Sequence, residues 1–253
     1  MKTSLKFLGI ALLALTMTSC VDAEKKERIT EQTASAISIE TPIKSVLTAE
    51  EQANMSADEI IDRLKKGNEN FVNNNLTRRD HSEQRRKSAI GQYPKAIVLS
   101  CVDSRVPVED VFDLGIGDIF VARVAGNIEN SDIVGSMEFA SAVAGSKVII
   151  VLGHTACGAV MHAIDNTDAA SMNMDALNDL LNEIKPSVEM TEKNGEVSSK
   201  NTAFTNSVIK NNALKTVEDI RKASPVMADL EARGKIKIVA AVYNMETGKV
   251  DFM

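Results

Sequence analysis

The sequence predicts an α/β fold: a mainly parallel central sheet flanked by helices, with a hairpin strand at the C-terminus. Three observations carry this. Short, almost wholly apolar runs at residues 96–100, 119–124 and 148–152 have the length of strands buried on both faces. Between and after them, apolar residues recur at helical spacing, and strands that alternate with helices imply a parallel sheet. Finally, residues 236–243, a turn at Glu246-Thr247-Gly248 and residues 250–252 read as a terminal hairpin.

In chain order, the first segment is a targeting sequence. Lys2 and Lys6 give a positive start, and Phe7 to Leu15 is an apolar stretch too short to span a bilayer as a mature helix. Met17-Thr18-Ser19-Cys20 then resembles a bacterial lipobox, with methionine in place of the usual leucine. Residues 1–19 are therefore expected to be a lipoprotein-type signal peptide, with Cys20 acylated as the first residue of the mature chain. Several acyl chains, at about 0.8 kcal/mol per buried methylene, make such an anchor permanent. Secretion with cleavage nearby and no lipid is the alternative. The expected address is a bacterial membrane, at its periplasmic side or at the cell surface. Residues 20–48 carry Glu, Lys, Ser and Thr without a sustained period, then Thr41-Pro42, and read as a flexible tether. Residues 49–253 read as one domain without internal repeats.

Within the domain, Ser56-Ala57-Asp58-Glu59 is a capping-box signature, followed by Ile60, Ile61, Leu64 and Phe71 at helical spacing. Arg78 and Arg79, with Arg85, Arg86 and Lys87, read as a solvated basic helix face. Residues 96–100 are the first core strand. Val106 to Leu114 reads as a short helix with Pro107 in its first turn and Gly115 and Gly117 stopping it. After the second strand, Val134, Met137, Ala140 and Ala144 mark a helix face leading into the third, and residues 158–164 continue as a helix. Leu177, Leu180, Leu181 and Ile184, then Ala213, Val217 and Ile220, mark two more helices on either side of a polar loop, residues 189–201.

The chain has 253 residues, 44% of them hydrophobic, which suffices for a sizeable core; with 4% aromatics and no tryptophan, that core must be mostly aliphatic. The net charge of -6 becomes -8 when Lys2 and Lys6 leave with the signal peptide. With no basic block long enough to track a phosphate backbone, this argues against nucleic acid as a partner.

The chemistry is concentrated after two of the strands, in Cys101-Val102-Asp103-Ser104-Arg105 and Gly153-His154-Thr155-Ala156-Cys157-Gly158. Two thiols and an imidazole delivered to one sheet edge suit zinc, and three protein ligands with a fourth position left open is the usual catalytic arrangement. Asp103 is close enough to take that fourth position in a closed state, and Arg105 close enough to hold the carboxylate in an ion pair instead. Export to an oxidising compartment makes a Cys101–Cys157 disulfide the structural alternative. It leaves His154, Asp103 and Arg105 without a role. Gly126 and Gly153 read as tight turns, and His81 and His162 as surface histidines, with proton relay as the alternative for each.

C-x-D-S-R followed about fifty residues later by G-H-x-x-C-G resembles the β-class carbonic anhydrases. The resemblance runs in order through Leu64 to Asn68, Phe71-Val72, Pro94 to Asn127, Gly158-Ala159-Val160, Ile238 to Tyr243 and Thr247-Gly248, covering roughly residues 49 to 253. It implies one Zn2+ per chain on Cys101, His154 and Cys157, with Asp103 and Arg105 as a catalytic dyad. It further implies that zinc-bound hydroxide converts carbon dioxide to bicarbonate and a proton. Substrate-pocket positions follow by the same resemblance: Gln92 to orient the substrate, Phe120, Ala125 and Gly158 around it, and Phe139 where a neighbouring subunit often supplies a tyrosine. Val124 replaces the family's common asparagine. A homodimer or homotetramer is implied. Hydrolysis of carbonyl sulfide or carbon disulfide on the same scaffold, and zinc binding without turnover, are the alternatives.

Overall fold

The computed structural model describes residues 41–253. The expected signal peptide, Cys20 and the expected tether as far as residue 40 lie outside the described residues. Helices α1 (Ala49–Asn54) and α2 (Ala57–Val72) open the domain, each with a reciprocal capping box: Thr48 with Glu51 and Ser56 with Glu59. Helix α2 buries the stripe Ile60, Ile61, Leu64 and Gly67. At Gly67 a Cβ would stand 1.9 Å from the Phe112 carbonyl oxygen, so the close approach of these two segments needs glycine. Helix α3 (His81–Ser88) then carries Arg85, Arg86 and Lys87 outward.

The sheet is built from β1 (Ala96–Ser100), β2 (Ile119–Arg123), β3 (Val148–His154), β4 (Lys237–Tyr243) and β5 (Val250–Phe252) in the order β2-β1-β3-β4-β5. The first four are parallel and β5 pairs antiparallel with β4. The connecting helices are α4 (Val108–Val111), α5 (Ser131–Glu138), α6 (Gly158–Ile164), α7 (Asp175–Glu189), α8 (Thr202–Ala223) and α9 (Pro225–Ala232). Strand alternation splits the core in two. Val98, Ile150 and Leu152 face α2 and Phe112; Ile97, Leu99, Ile149 and Val151 face Met137 and the Ala213, Val217, Ile220 stripe of α8. A third cluster, with Ile128, Val160, Leu181, Ile184 and Phe204, closes around Cys101 and Cys157. Among the described residues no helix is long and apolar enough to cross a membrane.

Four sequence expectations change. Residues 42–48, read as tether, lie on the domain: Ile43 bridges Arg79, and Ser45 accepts a hydrogen bond from Gln84 Nε2 at 2.9 Å. The backbone groups of this segment find partners before α1 begins. The helix expected over residues 106–114 shortens to α4, whose C-terminal end is followed by Asp113 at a φ of 51°, two residues before Gly115. Strand β3 runs on to His154, since Tyr243 of β4 continues the ladder past the end of β1. Gly153 is therefore strand rather than turn, packed where a Cβ would meet Ile209 at 3.4 Å.

Arg79 is the fourth correction. Its guanidinium leaves the basic face and pairs with Asp113, the two side chains 13% and 3% exposed. Burial works to raise the Asp113 carboxyl, but hydrogen bonds from Asn70, Arg79 and Thr77 outweigh it and hold it below the usual carboxylate range. A depressed folded pKa means this stability is present at neutral pH and lost as pH falls below about 4 and through the folded value. Arg79→Ala strands a buried charge and should cost about 3 kcal/mol in urea unfolding at pH 7. The difference between parent and variant should shrink in acid. A neutral effect at pH 7 would make the pair dispensable.

Candidate metal centre

Strand order reverses between β1 and β3, and the carboxyl ends of the strands on either side of such a reversal leave a crevice. Ser100 lies opposite Leu152 in the register. Cys101 therefore leaves β1 beside the end of β3, where His154 is the last strand residue. Ala156, at a φ of 55°, then turns the chain sharply, and Cys157 returns as the residue capping α6. The two sulfurs and a ring nitrogen of His154 come within 4.8 Å of one another, all three residues buried. Both thiols are free, so the disulfide alternative is not the state found.

The donor set has an opening for a cation. His154 Nδ1 lies 2.9 Å from the Thr155 carbonyl oxygen, which only accepts, so Nδ1 carries the proton. The lone pair of Nε2 is then left buried without a hydrogen-bond partner, beside two thiols. An unpartnered buried acceptor is costly, and a soft divalent cation resolves it. Zinc fits these residues. Of the two thiols, Cys101 is the readier to ionise: the Cys157 thiol donates to it, burial opposes, and the Gly126 and Asp103 N–H groups add support. The same bond and burial push Cys157 up.

Asp103 stands at the mouth. Arg105 grips it with its backbone N–H and Nε on Oδ1 at 2.9 and 3.0 Å and Nη2 on Oδ2 at 2.8 Å. The Arg105 side chain, above all, brings the carboxyl down to about 2. Asp103 Oδ2 is 3.9 Å from His154 Nε2, too far for a hydrogen bond. Arg123, at the end of β2, clamps the turn between them, donating from Nε to the Cys101 carbonyl at 2.9 Å and from Nη2 to that of Asp103. Nothing adjacent to Arg123 in the chain points to this task. Only the register, which sets Arg123 across from Ser100, reveals it.

The expected pocket residues divide. Ala125 begins a 3-10 turn, Ala125–Asn127, whose Gly126 N–H donates to Cys101 Sγ at 3.4 Å. Gly158 follows Cys157 directly and is exposed, with open space where a Cβ would be. Gln92, Phe120 and Phe139 are elsewhere. Gln92 precedes β1, and that strand alone spans roughly 13 Å from end to end at about 3.3 Å per residue. Phe120, near the start of β2, packs against Phe139 with ring centroids 6.0 Å apart, and Phe139 is 52% exposed. His81 and His162 are exposed, His162 Nδ1 lying 2.9 Å from Thr167 Oγ1.

Residues 96–250 match the family model described as carbonic anhydrase. Carbonic anhydrase 2 of Mycobacterium tuberculosis is 32% identical over 187 residues, which is 74% of this chain and 87% of that protein. Among solved structures, the β-carbonic anhydrase CcaA shares the fold with a TM-score of 0.61 at 23% identity, over 78% of this chain and 90% of that one. A tetrameric β-carbonic anhydrase from Sordaria macrospora does so with a TM-score of 0.57 at 20% identity, over 67% of this chain and 85% of its own. The family model spans the strands that carry both thiols and the imidazole, and the neighbours reproduce the sheet that aligns them; the chain belongs to the carbonic anhydrase family, in its β class.

Proposed function

We propose that this chain hydrates carbon dioxide reversibly to bicarbonate and a proton, with zinc held by Cys101, His154 and Cys157. The observation that carries the proposal is the buried, unpartnered Nε2 of His154 between two free thiols, under the Asp103–Arg105 pair. Zinc held there would supply Lewis acidity, lowering the pKa of water to about 7. The chain's own residues do the rest. Arg105 occupies both oxygens of Asp103 and so holds the carboxylate back from the metal position. An ionised carboxylate only accepts hydrogen bonds, so Asp103 takes one from the attacking water and aims its oxygen at the carbon. Ala125, half-buried beside Cys101, offers an apolar wall to a substrate with no hydrogen to donate. The test is carbon dioxide hydration by the purified domain, with and without chelator. Full zinc occupancy without hydration at any pH, or faster turnover of carbonyl sulfide, would overturn this reading.

Gln92, Phe120 and Phe139 serve the partner subunit's site in a homodimer or homotetramer, which their distance from this chain's own cluster supports. The tetrameric Sordaria enzymes support it too. Sedimentation of the same sample decides, since a monomer at full activity would refute it.

The enzyme is exported and lipid-anchored through Cys20. Lys2, Lys6, the apolar run and Met17-Thr18-Ser19-Cys20 support this. Cys20→Ala should release the protein from the membrane fraction or block its maturation, as seen on an immunoblot of separated fractions; unchanged attachment would discard the lipid anchor.

A further inference from the structure

Asn212 is an amide with 1% of its surface exposed, flanked along α8 by the buried Ile209 and Ala213. An amide in such a place is unfavourable unless its polar atoms are matched. They are matched to one end. Asn212 Nδ2 donates to the Gly126 carbonyl oxygen at 2.7 Å, and Oδ1 accepts from Ser187 Oγ of α7 at 3.1 Å. A carbonyl only accepts, so the orientation of the amide is determined. Gly126 in turn sends its N–H to Cys101 Sγ. A buried line of hydrogen bonds thus runs from α7, through α8 and Gly126, to a metal-binding thiol.

Gly126 is where this line has leverage. Its φ is 70°, and a Cβ there would stand 2.6 Å from Ile184 Cδ1, so no other residue fits without displacement. Glycine also has the widest backbone freedom, which leaves the direction of its N–H undetermined by its own geometry. The Asn127 N–H closes the turn onto the Val124 carbonyl at 3.0 Å, and Asn212 holds the Gly126 carbonyl on the other side of Cα. Anchoring that carbonyl restrains the peptide plane that follows Gly126, next to the one whose N–H points at the sulfur.

We propose that Asn212, supported by Ser187, is a positioning residue for the metal centre, acting through Gly126 to hold the hydrogen bond on Cys101 Sγ. A donor on a ligating sulfur sets its orientation and the charge it offers the metal, and losing such an outer partner typically costs about 10–100-fold in metal affinity. The inference rests on the zinc reading above.

The experiment compares the parent protein with Asn212→Asp, which keeps shape but has no donor for the carbonyl, and with Ser187→Ala, which removes only a hydroxyl. Zinc affinity is measured by competition with a chromophoric chelator, and the sulfur-to-metal charge-transfer band is recorded after cobalt(II) substitution. Asn212→Asp should weaken zinc binding by about 10–100-fold and shift the cobalt band. Ser187→Ala should move both in the same direction by less. Arg79→Ala, destabilised at a distance from the centre, should move neither, which separates positioning from general loss of stability. Binding within twofold of the parent and an unshifted band in Asn212→Asp overturn the inference; if that variant does not fold, an unshifted Ser187→Ala does so. A parent protein that takes up neither metal overturns the zinc reading, and this inference with it.

Discussion

Cys101→Ser should lose most of its zinc on dialysis against a mild chelator and fall at least about 100-fold in kcat/KM, since removing an outer partner of a ligand already costs 10–100-fold. Serine keeps the shape of the side chain at a position only 4% exposed, so the fold survives. The chemistry does not. Cys101 is the thiol whose surroundings favour the ionised form, through the Cys157 thiol first and the Gly126 and Asp103 N–H groups among the rest. A serine hydroxyl stays protonated near neutrality and is a hard, neutral donor where the site presents soft thiolate. Zinc content by elemental analysis, hydration by stopped flow and folding by circular dichroism are read on one preparation. Retained zinc with near-parent rates would remove Cys101 from the ligand set.

Arg105→Ala should keep zinc yet lower hydration by about 100-fold, a cost of roughly 2.7 kcal/mol in barrier. In the parent, three N–H groups of Arg105 hold Asp103, which is only 3.9 Å from the imidazole nitrogen that faces the metal position. Once its cationic partner is gone, the carboxylate is drawn to the dication and competes with water for the fourth position. The double variant Asp103→Ala, Arg105→Ala removes the competitor. It should therefore be no less active than Arg105→Ala alone. Zinc-edge absorption reports the ligand set and stopped flow the rates. A single variant that keeps water on zinc and hydrates at near-parent rates would reduce Arg105 to a structural ion-pair partner.

Much of this was legible in the chain. Residues 96–100 and 148–152 are strand because an unbroken aliphatic run of that length has nowhere to go but a doubly covered sheet. C-x-D-S-R places an acid and a base two residues apart, and the backbone turn makes their pairing local. H-x-x-C is local for the same reason. Thr48-Ala49-Glu50-Glu51 carried a capping box as plain as the one at Ser56, yet it fell at the end of the stretch assigned to the tether.

What the sequence by itself determined about this protein is whatever depends on near neighbours: strand and helix identity, caps, the Asp103–Arg105 pairing, and the two thiols and imidazole that suit zinc. Tertiary structure alone decided which distant side chains share a space. Arg79 reads as one more surface cation until Asp113, 34 residues on, turns back with its carboxylate inward. Asn212 reads as one more helix residue until α8 lies over the turn that holds Gly126, 86 residues earlier. The separation of Gln92 and the Phe120–Phe139 pair from this chain's own thiols follows from the sheet register, which no local pattern shows. Periodicity reports which face of an element is buried, but what it is buried against depends on strand order, register and helix packing, and no local pattern encodes these.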